Sequence, residues 1–472
     1  MRSSARVILF AVLLLVLPAG AAEKEKPLPK DLPPYGTLKP FVAPVATVQK
    51  LPNGLTLWLV PRPEFPKVSV AVAVRGGMAA DPVARPGLSE LIVATIDQGT
   101  RTRTAKQIAE EIQAAGGDIS GNAEADAIVV ATSVLAEKAE AGLAVLADLL
   151  QNATFPDSEV DLQKRNAADR LRANEASPFF LAARALAKSI FGSHPYGVIS
   201  PTQDSIARTT ASELRREYAR RFRPDQAVLV AVGDFDAEKM TALVRSGLGG
   251  WAAPKALPVP ETGKPTRPAP HAAFLVARAE SVQTTIAVGS LGPTRGEADY
   301  APTQVANAIY GGMFGSRLTR NIREDKGYTY TPFAFLNPRR KAAVFQSWAP
   351  VRNEMTGATL NEISYELNRV ATTVPTNEEV TNAQRYLVGN QAIDLQSQDA
   401  VARQLARLWV FGLPPEELGR EGERIGRVTA QDVQTVGKKY FPAARQAIVA
   451  VGDKSVVREQ LAPFGIEIRP AP

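Results

Sequence analysis

Phe155-Pro156-Asp157-Ser158-Glu159-Val160 opens a polar helical stretch, and Val374-Pro375-Thr376-Asn377-Glu378-Glu379-Val380 opens another of the same character. Their prolines, Pro156 and Pro375, lie 219 residues apart. The interval recurs. Thr210-Ala211-Ser212-Glu213 starts a helix with a capping-box pattern, and Thr429-Ala430-Gln431-Asp432, 219 residues later, starts a similar one with Asp in place of the usual Glu or Gln. Each of these helices runs to an aromatic-proline corner (Phe222 to Pro224, Phe441-Pro442) and then to a β-branched run ending in Gly233-Asp234 and Gly452-Asp453, again 219 residues apart. Solenoid repeats are a few tens of residues long, so this interval means that one whole domain is written twice.

Within each copy the pattern mixes hairpin-like strands with helices. Asn53-Gly54 reads as a turn before a strand over Leu55 to Val60, with a second strand over Val68 to Val74. Ile108, Ile112 and Ala115 keep helical spacing up to Gly116-Gly117, a strand runs over Ala127 to Leu135, and Leu143, Leu146, Ala147 and Leu150 keep helical spacing again. Strict strand-helix alternation is missing, which predicts an α+β fold: two homologous domains, each a mostly antiparallel sheet packed with helices.

Outward from the repeat, Trp251 to His271 holds Pro254, Pro258, Pro260, Pro265, Pro268 and Pro270 and reads as a semi-rigid linker. At the other end, Arg2 and Arg6, the apolar run Val7 to Leu17 and Ala19-Gly20-Ala21 read as an export signal over 1–22. A Pro- and Lys-rich arm follows over 23–45. The domains expected are therefore 46–250 and 272–468, joined by a linker over 251–271. No stretch is long and uncharged enough for a membrane span, so the expected product is exported, soluble after signal cleavage and periplasmic.

Without residues 1–22 the chain keeps 53 basic and 48 acidic side chains, a net charge of +5. No dense Lys/Arg block interleaved with aromatics accompanies that excess, so nucleic acid is not an expected partner. The chain has no cysteine, which removes disulfides, thiolate metal sites and thiol nucleophiles.

Leu51-Pro52-Asn53-Gly54-Leu55, the Gly87-Leu88 helix ending at Gly99-Thr100, His194-Pro195-Tyr196-Gly197 and both Val-Gly-Asp strand ends together resemble the pitrilysin/insulinase metallopeptidases, a likeness that covers nearly all of residues 45–465. Active members of that family carry His-x-x-Glu-His on this helix, the two His binding zinc and the Glu acting as general base. The matching positions here are Glu90, Val93 and Ala94, and the position of the family's remaining carboxylate ligand falls at Arg170. Val and Ala have no lone pair for zinc, and an Arg repels the cation, so no metal is expected in this chain. The two histidines, His194 and His271, lie outside the motif helix. A lone His before Pro195 reads as a turn residue bonded locally.

The second half keeps more. A phosphate loop would need Gly-Lys-Ser/Thr, which Gly311-Gly312-Met313-Phe314-Gly315-Ser316-Arg317-Leu318 lacks; its glycines suit a tight turn and close packing. In the resembling family the following segment holds an Arg and a Tyr seven residues apart that bind the scissile carbonyl or its oxyanion, and Arg323 and Tyr330 match that spacing. The structural reading of the same residues is an Arg paired with a nearby carboxylate and a Tyr packed in a strand. Ile119-Ser120-Gly121-Asn122-Ala123 matches the strand on which active subunits seat substrate backbone, which makes Asn122 and Ala123 candidate peptide contacts.

The resemblance implies a zinc-less subunit of a heterodimeric metallopeptidase, inactive alone, which lends Arg323 and Tyr330 to a homologous zinc-bearing subunit acting on peptides. A structural or peptide-binding homologue with no part in hydrolysis is the alternative. A hydrolase working by another route ranks last, since the chain has no Gly-x-Ser-x-Gly elbow and no histidine beside an evident nucleophile.

Overall fold

The computed structural model describes residues 42–253, 262–266 and 273–462, with the backbone of 468–470. The export-signal reading over 1–22, most of the arm over 23–45, and most of the linker including His271 lie outside the described residues.

Two six-stranded sheets carry the fold. The first is formed by β1 (Thr47–Lys50), β2 (Thr56–Pro61), β3 (Lys67–Arg75), β4 (Asp118–Ala123), β5 (Ala127–Leu135) and β6 (Ala227–Gly233), in the order β1-β2-β6-β3-β5-β4. The second is formed by β7 (Ala273–Ala277), β8 (Gln283–Gly292), β9 (Phe333–Pro338), β10 (Ala343–Arg352), β11 (Ala447–Gly452) and β12 (Ile468–Pro470), in the order β12-β7-β11-β8-β10-β9. Position for position the orders match, as a duplicated α+β design requires. Three pairs are parallel (β2 with β6, β7 with β11, β7 with β12) and the rest antiparallel. One strand is recruited differently: β1 comes from the N-terminal side as a hairpin with β2, whereas its counterpart β12 returns from the C-terminal end.

The central strands are buried on both faces, so each sheet needs two covers. In β3 the side chains alternate in size as well as in direction: Val68, Val70, Val72 and Val74 pack into the core of their own half, while Ala71 and Ala73 face the other way. That small-residue face is covered by the helix Gln398–Val410 of the second half, through Val401, Ala402, Leu405 and Ala406. The exchange is reciprocal. Helix Pro178–Phe191 of the first half lies on β8 and β11, with Ala182, Ala185, Leu186 and Ile190 against Ala287, Val449 and Val451. Gly289 of β8 permits the approach, because a Cβ there would stand 3.1 Å from Ile190 Cδ1 and 2.6 Å from the Phe345 carbonyl oxygen. Both halves thus share their outer cores.

The repeated caps form as their sequences require. Thr210 with Glu213 and Thr429 with Asp432 make reciprocal capping boxes, the shorter Asp serving at the second. Trp251, the first residue of the proline-rich stretch, is still core: its ring is buried and its Nε1 donates to the Phe222 carbonyl at 3.1 Å. Among the described residues no helix is long and apolar enough to cross a membrane.

Candidate functional site

The helix Leu88–Thr95 buries Leu88, Leu91, Ile92 and Thr95 and leaves Glu90, Val93 and Ala94 on its half-buried side. Its start is clamped. Asp81 accepts hydrogen bonds from the N–H groups of Gly87 (3.0 Å) and Ser89 (3.2 Å) and from the Ser89 hydroxyl (2.6 Å). Arg221, 0% exposed, donates to Ser89 Oγ at 2.6 Å and pairs with Asp81 at 2.9 Å and Glu217 at 3.1 Å. A buried charge tolerates such a place only when fully partnered, and this one also donates to the Gly76 carbonyl at 3.0 Å.

Glu90 and Arg170 come close enough here for their charges to interact. Burial raises the Glu90 carboxyl above its usual range, the Asp81 carboxylate pushes the same way, and the Arg170 guanidinium pulls against both. Val93, one turn on from Glu90, packs against the neighbouring strand: a Cβ added to Gly121 of β4 would stand 2.6 Å from Val93 Cγ1. The residues present therefore do not fit a zinc ion. They offer one carboxylate that resists ionisation, a cation next to it and a methyl group packed against the neighbouring strand. No cluster of three or more His, Cys, Asp or Glu able to hold a metal occurs among the described residues.

Asn122 and Ala123 sit on β4, an edge strand of the first sheet, whose only partner among the described strands is β5. The Asn122 side chain is exposed and reaches Glu124 at 3.4 Å. Helix Gln398–Val410 holds the same strand: Arg403 donates to Ser120 Oγ at 2.8 Å, and Arg407 pairs with Glu124 at 2.7 Å. Asn122, Glu124 and Arg407 line a cavity of about 560 Å³ between the halves, with Phe179, Phe335 and Trp348 on its other walls. His194 lies elsewhere and is locally satisfied: Nδ1 accepts from the Tyr196 N–H at 3.2 Å, and Nε2 is 2.9 Å from the Gly263 carbonyl, to which it can donate.

In the second half, Ser316 caps a helix over Arg317–Thr319 that widens into a π-helical turn over Arg320–Asp325 and carries Arg323. Leu318 and Ile322 anchor it in the core. Gly327, at φ +62°, reverses the chain so that the Tyr328 N–H reaches back to the Ile322 carbonyl at 2.8 Å. Thr329 is buried and donates to the Pro350 carbonyl at 2.5 Å, which leaves the next residue, Tyr330, turned outward at 78% exposure. Arg323 Cζ lies 4.6 Å from the Tyr330 ring centroid. Tyr330 precedes β9 and does not pack within a strand. Arg323 does meet a carboxylate, since its Nε is 3.1 Å from Glu324, yet Nη1 and Nη2 donate no hydrogen bond to any described residue.

Arg323 and Tyr330 are thus together, and Glu90 and Arg170 are together; no hydrogen bond or ion pair joins the two groups among the described residues. Two features escaped the sequence. Phe314 contributes a second ring, also 4.6 Å from Arg323 Cζ. The Asp81-Ser89-Arg221 clamp joins residues far apart in the chain, and nothing local marks it.

Two family profiles match the chain: Insulinase (Peptidase family M16) over residues 59–199 and Peptidase M16 inactive domain over residues 208–387. Similar curated proteins include an uncharacterised zinc protease of Streptomyces coelicolor, 24% identical and covering 86% of this chain and 90% of its own length. A second, from Bacillus subtilis, is 24% identical over 74% of this chain and 84% of its own. Among solved structures, a peptidase M16 inactive domain from Pseudomonas fluorescens superposes with a TM-score of 0.81 at 24% identity, covering 87% of this chain and 98% of that one. A protease from Helicobacter pylori gives the same TM-score at 17% identity, covering 87% and 99%.

Proposed function

Because this chain belongs to the insulinase (M16) peptidase family, we propose that it is the zinc-less subunit of a two-chain metallopeptidase. In this reading it is inactive alone and lends Arg323 and Tyr330 to the zinc site of a homologous partner acting on peptides. The observation that carries it is the contrast between the two sites. Where relatives named as zinc proteases would hold a metal, Glu90, Val93, Ala94 and Arg170 do not suit one; where a developing oxyanion would need donors, Arg323 stands stacked on Tyr330 with its outer nitrogens donating to no described residue. A guanidinium and a phenol held in place before the reaction stabilise negative charge without reorganising, which is why such donors contribute to rate. Residues 46–250 then form the domain whose metal site is lost, and 272–468 the domain that keeps the donors. The mature protein works in the periplasm after removal of 1–22.

The test begins with a pull-down of the tagged mature chain from its native envelope extract. Recovery of a homologue with an intact His-x-x-Glu-His motif is the expected result. In the reconstituted pair, Arg323→Ala should lower kcat roughly a hundred- to thousandfold, the usual effect of losing one oxyanion donor. Unchanged activity in the Arg323→Ala, Tyr330→Phe double variant would sink the catalytic role. The peptide-binding reading without hydrolysis draws on the open edge of β4 beside Asn122 and Ala123, and it gains if the pull-down yields a stable partner that is not a peptidase.

A further inference from the structure

We propose that Phe314 is a positioning residue for Arg323, its ring fixing the plane of the guanidinium so that the Nη edge faces outward. This rests on the reading of Arg323 as a donor to a partner's reacting carbonyl.

The position of Phe314 has no explanation in the core. The residue is 68% exposed, in a glycine-flanked loop between the π-helical turn Ala308–Gly312 and the Ser316 cap. A single exposed ring is ordinary by itself; what marks this one is the charged group stacked on it. The ring stands beside Arg323, whose Cζ lies 4.6 Å from the Phe314 centroid and 4.6 Å from that of Tyr330. Each distance is within the range for attraction between a cation and a ring face.

A surface arginine on its own samples many rotamers, and an oxyanion donor works only if it already points where charge will develop. Tyr330 alone gives one stacking surface. With Phe314 there are two rings, and Glu324 holds Nε at 3.1 Å, so the plane and the rotation of the guanidinium are both restrained while Nη1 and Nη2 donate no hydrogen bond to any described residue. The backbone supports the arrangement from both ends. The π-helical turn Arg320–Asp325 sets the direction of Arg323, and a π-helical turn also precedes Phe314.

Phe314→Ala and Phe314→Tyr test it, each in the full-length chain. In the chain alone, NMR of the Arg323 side chain should show ring-current shifts that Phe314→Ala reduces and Phe314→Tyr keeps. In the pair with the zinc-bearing homologue, Phe314→Ala should lower kcat about three- to tenfold with KM little changed, as expected for a weak cation–ring contact that orients without binding substrate. Phe314→Tyr should restore it, and the effect should vanish in an Arg323→Ala background. An Arg323 spectrum indifferent to Phe314→Ala overturns the proposal. So does weakened subunit association with kcat unchanged at saturation, which would make Phe314 a partner contact instead. If Arg323→Ala itself leaves activity intact, the catalytic reading fails, while the NMR comparison still decides whether Phe314 orders the side chain.

Discussion

The two halves fill one structural slot in different ways. In the first, a helix capped by Thr104 runs regularly over Ala105–Ala114, turns at Gly116 (φ +68°) and enters β4 two residues later. In the second, the helix capped by Ser316 widens into a π-helical turn, reverses at Gly327 (φ +62°) and enters β9 six residues later. The added length holds Tyr330, and the widened turn holds Arg323. The preceding helix shows the opposite contrast. In the first half its start is held by a buried charge network around Arg221; in the second, Tyr440, 219 residues on, bonds Asp299 at 2.9 Å in a half-exposed setting beside Lys439. A duplicated fold can therefore invest one copy in rigidity and the other in a partly exposed arginine stacked on rings, because topology is fixed by the sheets and neither feature is part of them.

That contrast breaks most visibly at Arg221. Arg221→Met should destabilise the chain by about 3–5 kcal/mol, since Asp81 would be left buried without its cation and Glu217 would keep only Arg220, at 2.6 Å, whereas Tyr440→Phe should cost only about 1 kcal/mol. Equal losses in denaturant unfolding would mean that the two helix starts are held alike. Next in size is the packing of Val93 on β4. Gly121→Ala should cost about 1–3 kcal/mol through overpacking against Val93, and Val93→Ala in the same chain should recover part of it. Additive effects in that double-mutant cycle would show that the two residues do not touch.

The acid limb of stability gives the third. Burial works against ionisation of Glu379, but the Arg317 fork, at 2.6 and 2.9 Å, and the Thr376 N–H outweigh it and hold its pKa down to about 2. A depressed carboxylate contributes stability above its unfolded pKa, lost as pH falls from 4.5 towards about 2. Allowing for solvent screening of this partly exposed pair, Glu379→Gln should cost about 1–2 kcal/mol near neutral pH and nothing at the acid end. Glu90 has the opposite sign and the smallest effect. Its folded pKa is raised, so ionisation lowers stability as pH rises from 4.5 through the folded value, and Glu90→Gln should stabilise the neutral protein by up to about 1 kcal/mol. A loss of stability on that substitution would show that Arg170 more than offsets the burial of Glu90.

Much of this was readable in the chain. The interval of 219 residues between prolines, caps and strand ends announces two copies of one domain, and both capping boxes form where their residues stand. At the positions that the resemblance aligns with the family's zinc motif stand Glu90, Val93, Ala94 and Arg170, and that this set does not suit zinc follows from donor type alone, which requires no coordinates. The seven-residue spacing of Arg323 and Tyr330 named the pair but did not say whether they met or which carboxylate would engage the arginine. What only tertiary structure decided are contacts between residues distant in sequence. These are the exchange of helices Pro178–Phe191 and Gln398–Val410 across the two sheets, the meeting of Asp81 with Arg221, and the Phe314 ring beside Arg323. The physical reason is the same in each case. Periodicity and capping are local and leave a mark within a few residues, whereas the partner of a small-residue strand face, a buried guanidinium or an exposed ring is set by which surfaces the closed chain brings within reach.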